Sequence, residues 1–326
     1  MKKPSGKSDQ PKPKKTSPKS PAHLSTESVM RSVQKIMEGK KFASLEEANA
    51  FLASLTGPGL QQSLIDETPL TPQEQAQDLA FDAMEAETAT RARKLANRAL
   101  ALDPDCVDAL VLLTDLDATS PKAAIAGLQK AVAAGERALG ASFFAENKGH
   151  FWGLLETRPY MRARVDLANM LRAVGLEQDA ISHYDALLEL NPNDNQGLRY
   201  VLLGSYLATG RLEDAQKLLN DYEGDDMASF AWGRVLERFL AGDVPGAERA
   251  LKSARQGNGF VELYLTAQRE LPTSMPDSYS LGSDEEAVIC LDCLGAAWAN
   301  HPEAAIWLVE QLLAAKAASR RTRKPN

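Results

Sequence analysis

Small and bulky apolar residues alternate with short polar turns at a nearly constant interval along the middle of the chain. The segments GLEQDA (175–180), GRLEDA (210–215) and GDVPGA (242–247) each begin with glycine and end with alanine. Each alanine is followed four residues later by a bulky residue, and the first copy closes with Pro192, which cannot continue a helix. This pattern predicts helices that approach closely through small residues. The aligned positions are Ala180, Ala215 and Ala247, followed by Tyr184, Leu219 and Leu251.

The same register extends toward the N-terminus. Ala92, Ala96 and Ala99 repeat the small-residue spacing before Pro104, and a similar group begins at Ala124, 32 residues after Ala92. The register predicts five helical pairs and one insertion that breaks the period. The pairs cover about 73–104, 105–140, 161–193, 195–226 and 227–257, and the insertion covers 141–159.

Capping signals place further helices on both sides of the pairs. SLEE at 44–47 and SDEE at 283–286 are capping boxes, and Thr71 followed by Pro72 begins the first pair. The predicted additional helices run from Thr26 to about Glu38, from Ser44 to about Thr56, over Phe260–Glu270, from Ser283 to about Ala299, and onward from Pro302. The resulting organisation is a tail (1–22), a small helical hairpin (23–60) that is either an end cap or a separate interaction element, a linker (61–70), a helical array (71–315) and a second tail (316–326).

Charge separates the two tails from the rest of the chain. The net charge is −7 over 326 residues, yet residues 1–22 contain seven lysines against Asp9, and residues 316–326 contain five basic residues and no acid. Such segments cannot bury apolar surface, so both are predicted to be disordered. Contact with nucleic acid is the alternative function for them, but neither tail places aromatic residues among its charges, and nucleic acid is not the expected partner.

Composition also bears on the cellular compartment. No apolar run reaches the ~20 residues that a membrane-spanning helix needs, and the Lys-rich N-terminus lacks the apolar stretch of a secretion signal. The three cysteines do not form a disulfide framework. We therefore expect a cytoplasmic protein without a membrane span.

The repeat resembles the tetratricopeptide repeat, which implies an all-α, right-handed α-solenoid. Several segments also resemble the suppressor of tumorigenicity family, and the most specific is the insertion GHFWGLLETRPYMRAR at 149–164. This resemblance covers about 75–315 and implies a soluble, bacterial-type relative without established chemistry. Membrane attachment is not implied, because the N-terminal spans of the animal members are missing. The other segments that carry the resemblance are 97–113, 190–203, 258–265 and 280–288.

Stacked helical pairs point to a binding function. One pair cannot bury its apolar face alone, and the stack curves around a groove lined by the first helix of each pair. The sequence therefore predicts a non-enzymatic scaffold that binds a peptide or protein segment in this groove. No phosphate loop or nucleophile elbow is found, so no enzyme, cofactor or metal is expected. The alternative is a catalytic or metal-dependent activity organised around 149–164 and the C-terminal helices.

Arginine and aromatic residues in the insertion supply the candidate binding site. They concentrate positive charge in an otherwise acidic body, and these residue types dominate binding hot spots. A stripe at helical spacing continues from them, and the next repeat adds two more residues. We expect the group to contact an acidic peptide or a C-terminal carboxylate, the alternative being that the aromatics fill a gap and the arginines pair internally. The candidates are Trp152, Arg158, Tyr160, Arg162, Asn169, Arg172, Arg199 and Tyr200.

Cysteines and turn residues are predicted to be structural. Cys290 and Cys293 form a CxxC motif inside a predicted helix, without the βαβ context of a redox site, and His301 alone does not complete a zinc site. Two core cysteines are expected. Asn193 and Asp194 belong to residue types that cap helices and form turns, which explains them without a ligand.

Overall fold

The computed structural model describes residues 21–38, 40, 42–54 and 70–322. Over these residues the chain forms sixteen α-helices and two short 3-10 turns, and no strand, which confirms the all-α prediction. The chain divides into two compact units, Met1–Ala138 and Leu139–Asn326. The division falls immediately before the predicted insertion. The predicted linker, apart from Leu70, and the first 20 residues of the N-terminal tail lie outside the described residues.

Alanine-rich helix faces form the core of the first unit. Ala76, Ala80, Ala96 and Ala99 pack with Cys106 into one cluster, because side chains of this size let the helix backbones approach closely. The helices are α1 (Pro21–Glu38), α2 (Leu45–Ser54), α3 (Pro72–Met84), α4 (Ala89–Leu102), α5 (Val107–Asp117) and α6 (Pro121–Leu139).

The predicted N-terminal cap of α3 is present. The Thr71 hydroxyl accepts a hydrogen bond from the Glu74 amide at 3.3 Å, and the Glu74 carboxylate accepts one from the Thr71 amide at 2.7 Å. Helix α1 lies against the same helix, where Lys35 contacts the Glu74 carboxylate at 2.6 Å and Arg31 pairs with Asp78. Helix α1 therefore contacts the first helix of the first predicted pair.

Three helical pairs form the centre of the second unit, and their first and second helices are α8/α9, α10/α11 and α12/α13. Between the helices of each pair lies a glycine with φ between 72° and 81°, a conformation that favours glycine. The repeated alanines Ala180, Ala215 and Ala247 are fully buried, which confirms the register. The helices are α7 (Ala141–Asn147), α8 (Arg158–Ala173), α9 (Glu177–Leu190), α10 (Leu198–Ala208), α11 (Leu212–Asp221), α12 (Ala228–Leu240), α13 (Val244–Gly257), α14 (Phe260–Leu265), α15 (Asp284–Asn300) and α16 (Pro302–Thr322).

The insertion has an ordered structure of its own. It contains α7 and two 3-10 turns, Phe151–Gly153 and Leu155–Thr157, and α8 begins at Arg158, three residues before the predicted start. Phe151 is fully buried, with Phe143 and Phe144 ring centroids 6.0 and 5.0 Å away. An aromatic cluster therefore holds the insertion against the first helical pair of this unit.

Two helix ends differ from the prediction. Helix α14 ends at Leu265 and not near Glu270, because the chain turns back at Ala267 (φ 53°) and the amides of Gln268 and Arg269 both bond to the Leu263 carbonyl. Helix α16 continues to Thr322 and so includes the first seven residues of the predicted basic tail. Alanine, lysine and arginine dominate this segment, and all three are good helix formers.

Helix α15 packs along α10 and α12, the first helices of two neighbouring pairs. Its buried side chains include Ala287, Cys290, Leu294 and Ala297. A Cβ atom added at Gly204 of α10 would stand 1.9 Å from the carbonyl oxygen of Cys293, so the two backbones touch. We call the side of α10 and α12 on which α15 lies the first-helix face. This face is covered by the chain's own helix.

Candidate functional site

Two candidate residues of the insertion, Trp152 and Arg158, contact one another, and a third, Tyr160, packs into the aromatic cluster. The Arg158 guanidinium lies 5.1 Å from the Trp152 ring centroid, and its Nε donates a hydrogen bond to the Trp152 carbonyl at 3.2 Å. Tyr160 is 1% exposed, packs edge-to-face on Phe144 at 5.2 Å, and bonds to Arg164 through its hydroxyl. Tyr160 is therefore a core residue. It was predicted to contact a partner, but its burial keeps a partner from reaching it.

The stripe on α8 connects helices of the same unit. The exposed Asn169 accepts a hydrogen bond from the Tyr184 hydroxyl at 2.6 Å, and Arg162 is partly buried. Arg172 donates to the carbonyl of Asp292 in α15 at 3.0 Å, with Glu177 at 3.9 Å. Asn169 thus fixes the second helix of its pair, and Arg172 fixes α15.

Arg199 lies at the centre of a buried ion network. Its guanidinium contacts Asp225 at 2.7 Å and Asp194 at 2.8 Å, and it stacks over the Tyr200 ring at 4.3 Å. The two carboxylate side chains are only 7% and 1% exposed. Asp194 also accepts a hydrogen bond from the Leu198 amide at 2.7 Å, at the start of α10, so the predicted turn residue serves as a helix cap.

Electrostatics in this network favour a permanently charged arginine. Burial opposes the charge of Arg199, but hydrogen bonds to Asp225 and Asp194 outweigh it and raise its pKa above the usual value. Burial, and then the hydrogen bond to Asp225, raises the pKa of Tyr200, so its hydroxyl stays protonated and donates to Asp225 at 2.9 Å. Both candidates are therefore satisfied inside the unit.

The N-terminal end of α15 is attached to α12 by the buried carboxylate of Glu286. It accepts hydrogen bonds from the Ala228 amide at 2.9 Å, from the Asn258 side chain at 2.9 Å and from the Gly282 amide at 2.6 Å. The SDEE motif therefore does more than the predicted local capping. Its first residue, Ser283, accepts from the Glu286 amide, while the carboxylate of Glu286 caps a different helix, α12.

The C-terminal end of α15 is attached to α10. Asn300 donates to the Ala208 carbonyl at 3.2 Å, and the His301 ring lies 3.0 Å from the Leu207 carbonyl. These carbonyls belong to the last turn of α10, where helix carbonyls run out of intrahelical donors, and the Leu207 carbonyl also accepts from the Gly210 amide at 3.3 Å. Helix α15 thus satisfies groups at the start of one first helix and at the end of another. A peptide could not bind the first-helix face here without replacing these contacts.

All three cysteines are free thiols; Cys106 and Cys290 are buried, and Cys293 is partly buried. Burial raises the pKa of Cys290 well above its usual value and that of Cys293 to about 11, so neither forms a thiolate at neutral pH. Burial and then Arg164 lower the pKa of His183, and its Nδ1 accepts a hydrogen bond from the Arg164 Nε at 3.3 Å. In the described part of the chain, no group of three or more histidine, cysteine or acidic residues is placed to hold a metal ion.

Two open clefts lie where first and second helices meet, and neither was anticipated from the sequence. The first, which we call the acidic cleft, has a volume of about 550 Å³ between α9 and α11. Four carboxylates and two cations line it, and the Tyr206 hydroxyl donates to the partly buried Asp185. Burial raises the pKa of Asp185. The lining residues are Asp185, Leu188, Glu189, Pro192, Leu202, Tyr206, Arg211, Asp214, Lys217, Leu218, Asp221 and Tyr222.

The second, which we call the arginine cleft, has a volume of about 610 Å³ where α12 meets α13. Arg234 donates to the Leu219 carbonyl at 3.0 Å, Arg238 lies 3.8 Å from Asp243, and Arg249 is exposed. The lining residues are Glu223, Asp225, Phe230, Ala231, Arg234, Arg238, Asp243, Gly246, Arg249, Ala250 and Ser253.

The two clefts are equivalent by the repeat register. Seven positions of the acidic cleft recur in the arginine cleft 32 residues later. Tyr206 corresponds to Arg238 and Arg211 to Asp243, which changes the charge, whereas Lys217 corresponds to Arg249, which keeps it. The 32-residue spacing of the lining positions is the only sign of the two clefts in the sequence. This sign is weak, because the residue types at the equivalent positions differ.

Two comparisons with known proteins bear on these features. The family model described as Tetratricopeptide repeat matches residues 171–237, which run from the end of α8 to the last turn of α12. The search of curated proteins gave no match. The resemblance to the suppressor of tumorigenicity family stays a prediction. Among the described helices, none is long and apolar enough to cross a membrane.

Proposed function

We propose that the chain is a non-enzymatic scaffold that binds a peptide or protein segment through the clefts of its second unit. Tetratricopeptide repeats are typical of protein-interaction scaffolds, and the match lies in this unit. The observation that carries the proposal is the recurrence of one concave surface at the repeat interval, next to a first-helix face that α15 already covers.

Cleft chemistry defines the proposed partner. The acidic cleft has more carboxylates than cations. Asp185 and Asp214, which already contact Arg211 at 3.8 and 2.7 Å, can also accept from a lysine or arginine of a partner, and the Tyr206 and Tyr222 rings offer apolar surface beside them. The arginine cleft offers Arg238 and Arg249 to an aspartate, a glutamate or a C-terminal carboxylate. We infer a partner segment that carries one basic and one acidic group. Their separation in space matches the distance between two clefts related by one repeat of this chain. The sequence also predicted a partner with a carboxylate group, but it placed the contact at the insertion and not at the clefts.

Selection of displayed random peptides on the full chain tests this proposal. The expected peptides contain both a basic and an acidic residue. Arg249→Glu should weaken their binding about 10- to 100-fold, the range expected when a charge-assisted hydrogen bond is lost and a repulsion is added. Arg98→Glu, at an exposed arginine of α4, is the matched control and should leave binding unchanged.

Two results of the peptide selection would contradict the proposal. Selected peptides that bind the Arg249→Glu and Asp214→Lys variants as tightly as the unaltered chain would place recognition outside the clefts. A selection that returns no common charge pattern would contradict the proposed partner.

A further inference from the structure

Helix α16 exposes three large apolar side chains along one face. Ile306, Val309 and Leu313 are 62%, 38% and 60% exposed and follow the 3- and 4-residue spacing of a single stripe. The opposite face is buried, and there the Trp307 ring lies 5.1 Å from the ring of Phe239 in α12. A helix face that water covers normally carries polar residues. Packing within the second unit therefore does not account for the stripe.

The stripe is open to solvent toward the C-terminal end of α16. All five residues from 313 to 317 are exposed, and five residues cover more than one full turn of a helix. Each side of the helix is therefore accessible over this turn. Lys316 donates to the Gln268 side chain at 2.9 Å and still remains exposed.

Charge changes sign along α16 and the residues that follow it. The acidic residues Glu303 and Glu310 lie within the first nine positions of the helix. At ~100° per residue, Glu310 borders the stripe on one flank and Lys316 borders it on the other. Beyond Leu313 the sequence has five basic residues and no acidic one. The basic residues are Lys316, Arg320, Arg321, Arg323 and Lys324.

We propose that the C-terminal half of α16 binds the surface of an anionic membrane. In this arrangement Val309 and Leu313 insert among the lipid headgroups, and the basic residues lie beside the lipid phosphates. A helix that combines an apolar face with several lysines and arginines is typical of this mode of binding. The contact involves none of the residues that line the two clefts, so it goes beyond the proposed partner binding.

Local charge determines whether an anionic surface attracts this helix. The two carboxylates of α16 leave a net charge of +3 over residues 302–324. The chain as a whole carries −7, but salt screens charges that lie more than about 8 Å from the surface at physiological ionic strength. The basic end of α16 therefore outweighs the more distant acidic residues.

Like charges disfavour a second copy of α16 as the occupant of the stripe. In a parallel pair the two basic ends would lie side by side. In an antiparallel pair centred on the stripe, Glu310 would face Glu310 of the partner subunit. Both arrangements bring like charges together, which opposes association. A membrane with anionic lipids attracts the basic end without this conflict.

Flotation of the full chain with lipid vesicles tests the proposal. The chain should bind vesicles that contain phosphatidylcholine and phosphatidylglycerol in equal amounts, and it should not bind phosphatidylcholine alone. Binding should weaken as salt concentration rises. Arg320→Glu/Arg321→Glu should lower the partition coefficient at least ~10-fold, because each charge near the surface contributes a factor of about 5. Arg91→Glu/Arg98→Glu, at two exposed residues of α4, makes the same change in net charge and should not have this effect.

Apolar variants separate α16 from residues 1–20, whose seven lysines would also attract anionic lipid. Leu313→Ser keeps the net charge and should lower binding about 5- to 10-fold, because it removes apolar area from the contact. Leu271→Ser is the matched control, at a residue of similar exposure (56%) in the loop before α15, and should bind like the unaltered chain. Circular dichroism verifies that each variant keeps its helices.

Three results would overturn the proposal. The first is an unaltered chain that binds neither kind of vesicle. The second is binding to the mixed vesicles that survives both Leu313→Ser and Arg320→Glu/Arg321→Glu, which would assign the contact to residues 1–20. The third is a dimer in sedimentation equilibrium that Leu313→Ser dissociates, which would assign the stripe to a second copy of the chain.

Discussion

Arg199 shows how a residue type that dominates binding sites can hold an interior together. Two carboxylates, Asp194 and Asp225, lie in the interior of the second unit, and each would carry an uncompensated charge without the guanidinium between them. Removing one partner of such a group is more damaging than replacing the whole group, because the remaining charges stay buried. The network therefore has a structural role that can be measured directly.

Replacing Arg199 by Met should lower the free energy of unfolding by about 3–5 kcal/mol, since it leaves two buried carboxylates without their cation. Urea denaturation followed by tryptophan fluorescence is a suitable measurement, because all four tryptophans lie in the second unit. Arg249→Met is the control at an exposed position and should change stability by no more than about 0.5 kcal/mol. Similar stability for both variants would show that Arg199 does not hold the interior together.

The buried carboxyl of Glu237 in α12 should make the stability of the protein depend on pH. Its side chain is 2% exposed, and its Oε2 has no hydrogen-bond partner among the described residues, although Arg238 lies 3.3 Å away. Burial raises its pKa, and Arg238 opposes the shift. Because the folded state retains this proton to higher pH than the unfolded state, stability falls as pH rises between the two pKa values.

Glu237→Gln should therefore be more stable than the unaltered chain at neutral pH. The difference should shrink as pH falls through the window that begins at the raised folded pKa and ends at the unfolded pKa, where the carboxyl is protonated in both states. Thermal melting at several pH values is the measurement. The exposed Glu146→Gln should show no such convergence. A Glu237→Gln variant that is less stable at neutral pH would contradict this account.

Helix α15 determines at the scale of elements which surfaces remain available. It touches α10 through the Gly204 backbone, and its ends satisfy groups of α12 and α10 through Glu286 and Asn300. These contacts make α15 an integral part of the unit. The first-helix face over α10 and α12 is consequently interior surface.

The contact of α15 with Gly204 predicts that Gly204→Ala lowers the free energy of unfolding, whereas the same change in an ordinary helix raises it. Alanine in a helix interior normally stabilises by about 0.5–1 kcal/mol relative to glycine. Here the added methyl would collide with the Cys293 carbonyl, and we expect a net loss on the order of 1–3 kcal/mol from overpacking. Gly295→Ala within α15 is the control, because its nearest neighbour would be Leu291 Cδ1 at 3.9 Å. Stabilisation by both variants in urea denaturation would show that α15 does not pack on Gly204.

Local signals in the sequence were sufficient for most helices of the structure. The glycine–alanine register predicted the pairs of the second unit, and Thr71 predicted the start of α3, because both depend on residues close in sequence. The contact of α15 with α10 could not be predicted in this way, since Gly204 and Cys293 are far apart along the chain. The only signal was a glycine in a predicted helix interior, which has several explanations.

The candidate site was less predictable than the fold for a related reason. Arginine and aromatic residues are typical of binding surfaces, yet Tyr160 and Arg199 find their partners inside the unit. Whether such a residue binds a partner or pairs inside the protein depends on side chains distant in sequence, such as Asp225 for Arg199. The clefts were missed because their equivalent positions differ in charge. Their register became visible only with the packing of α9, α11 and α13.

At the scale of the whole molecule, the second unit is either closed by its own helix α15 or open to partners along the first-helix face. Amide hydrogen exchange of the full chain distinguishes these states, because it reports the free energy at which each helix opens. The account predicts that α15 amides exchange only with unfolding of the second unit, at the same free energy as those of α10 and α12. Exchange of α15 at a free energy about 2–3 kcal/mol lower, with α10 and α12 still protected, would contradict it, because the first-helix face would then open to a partner.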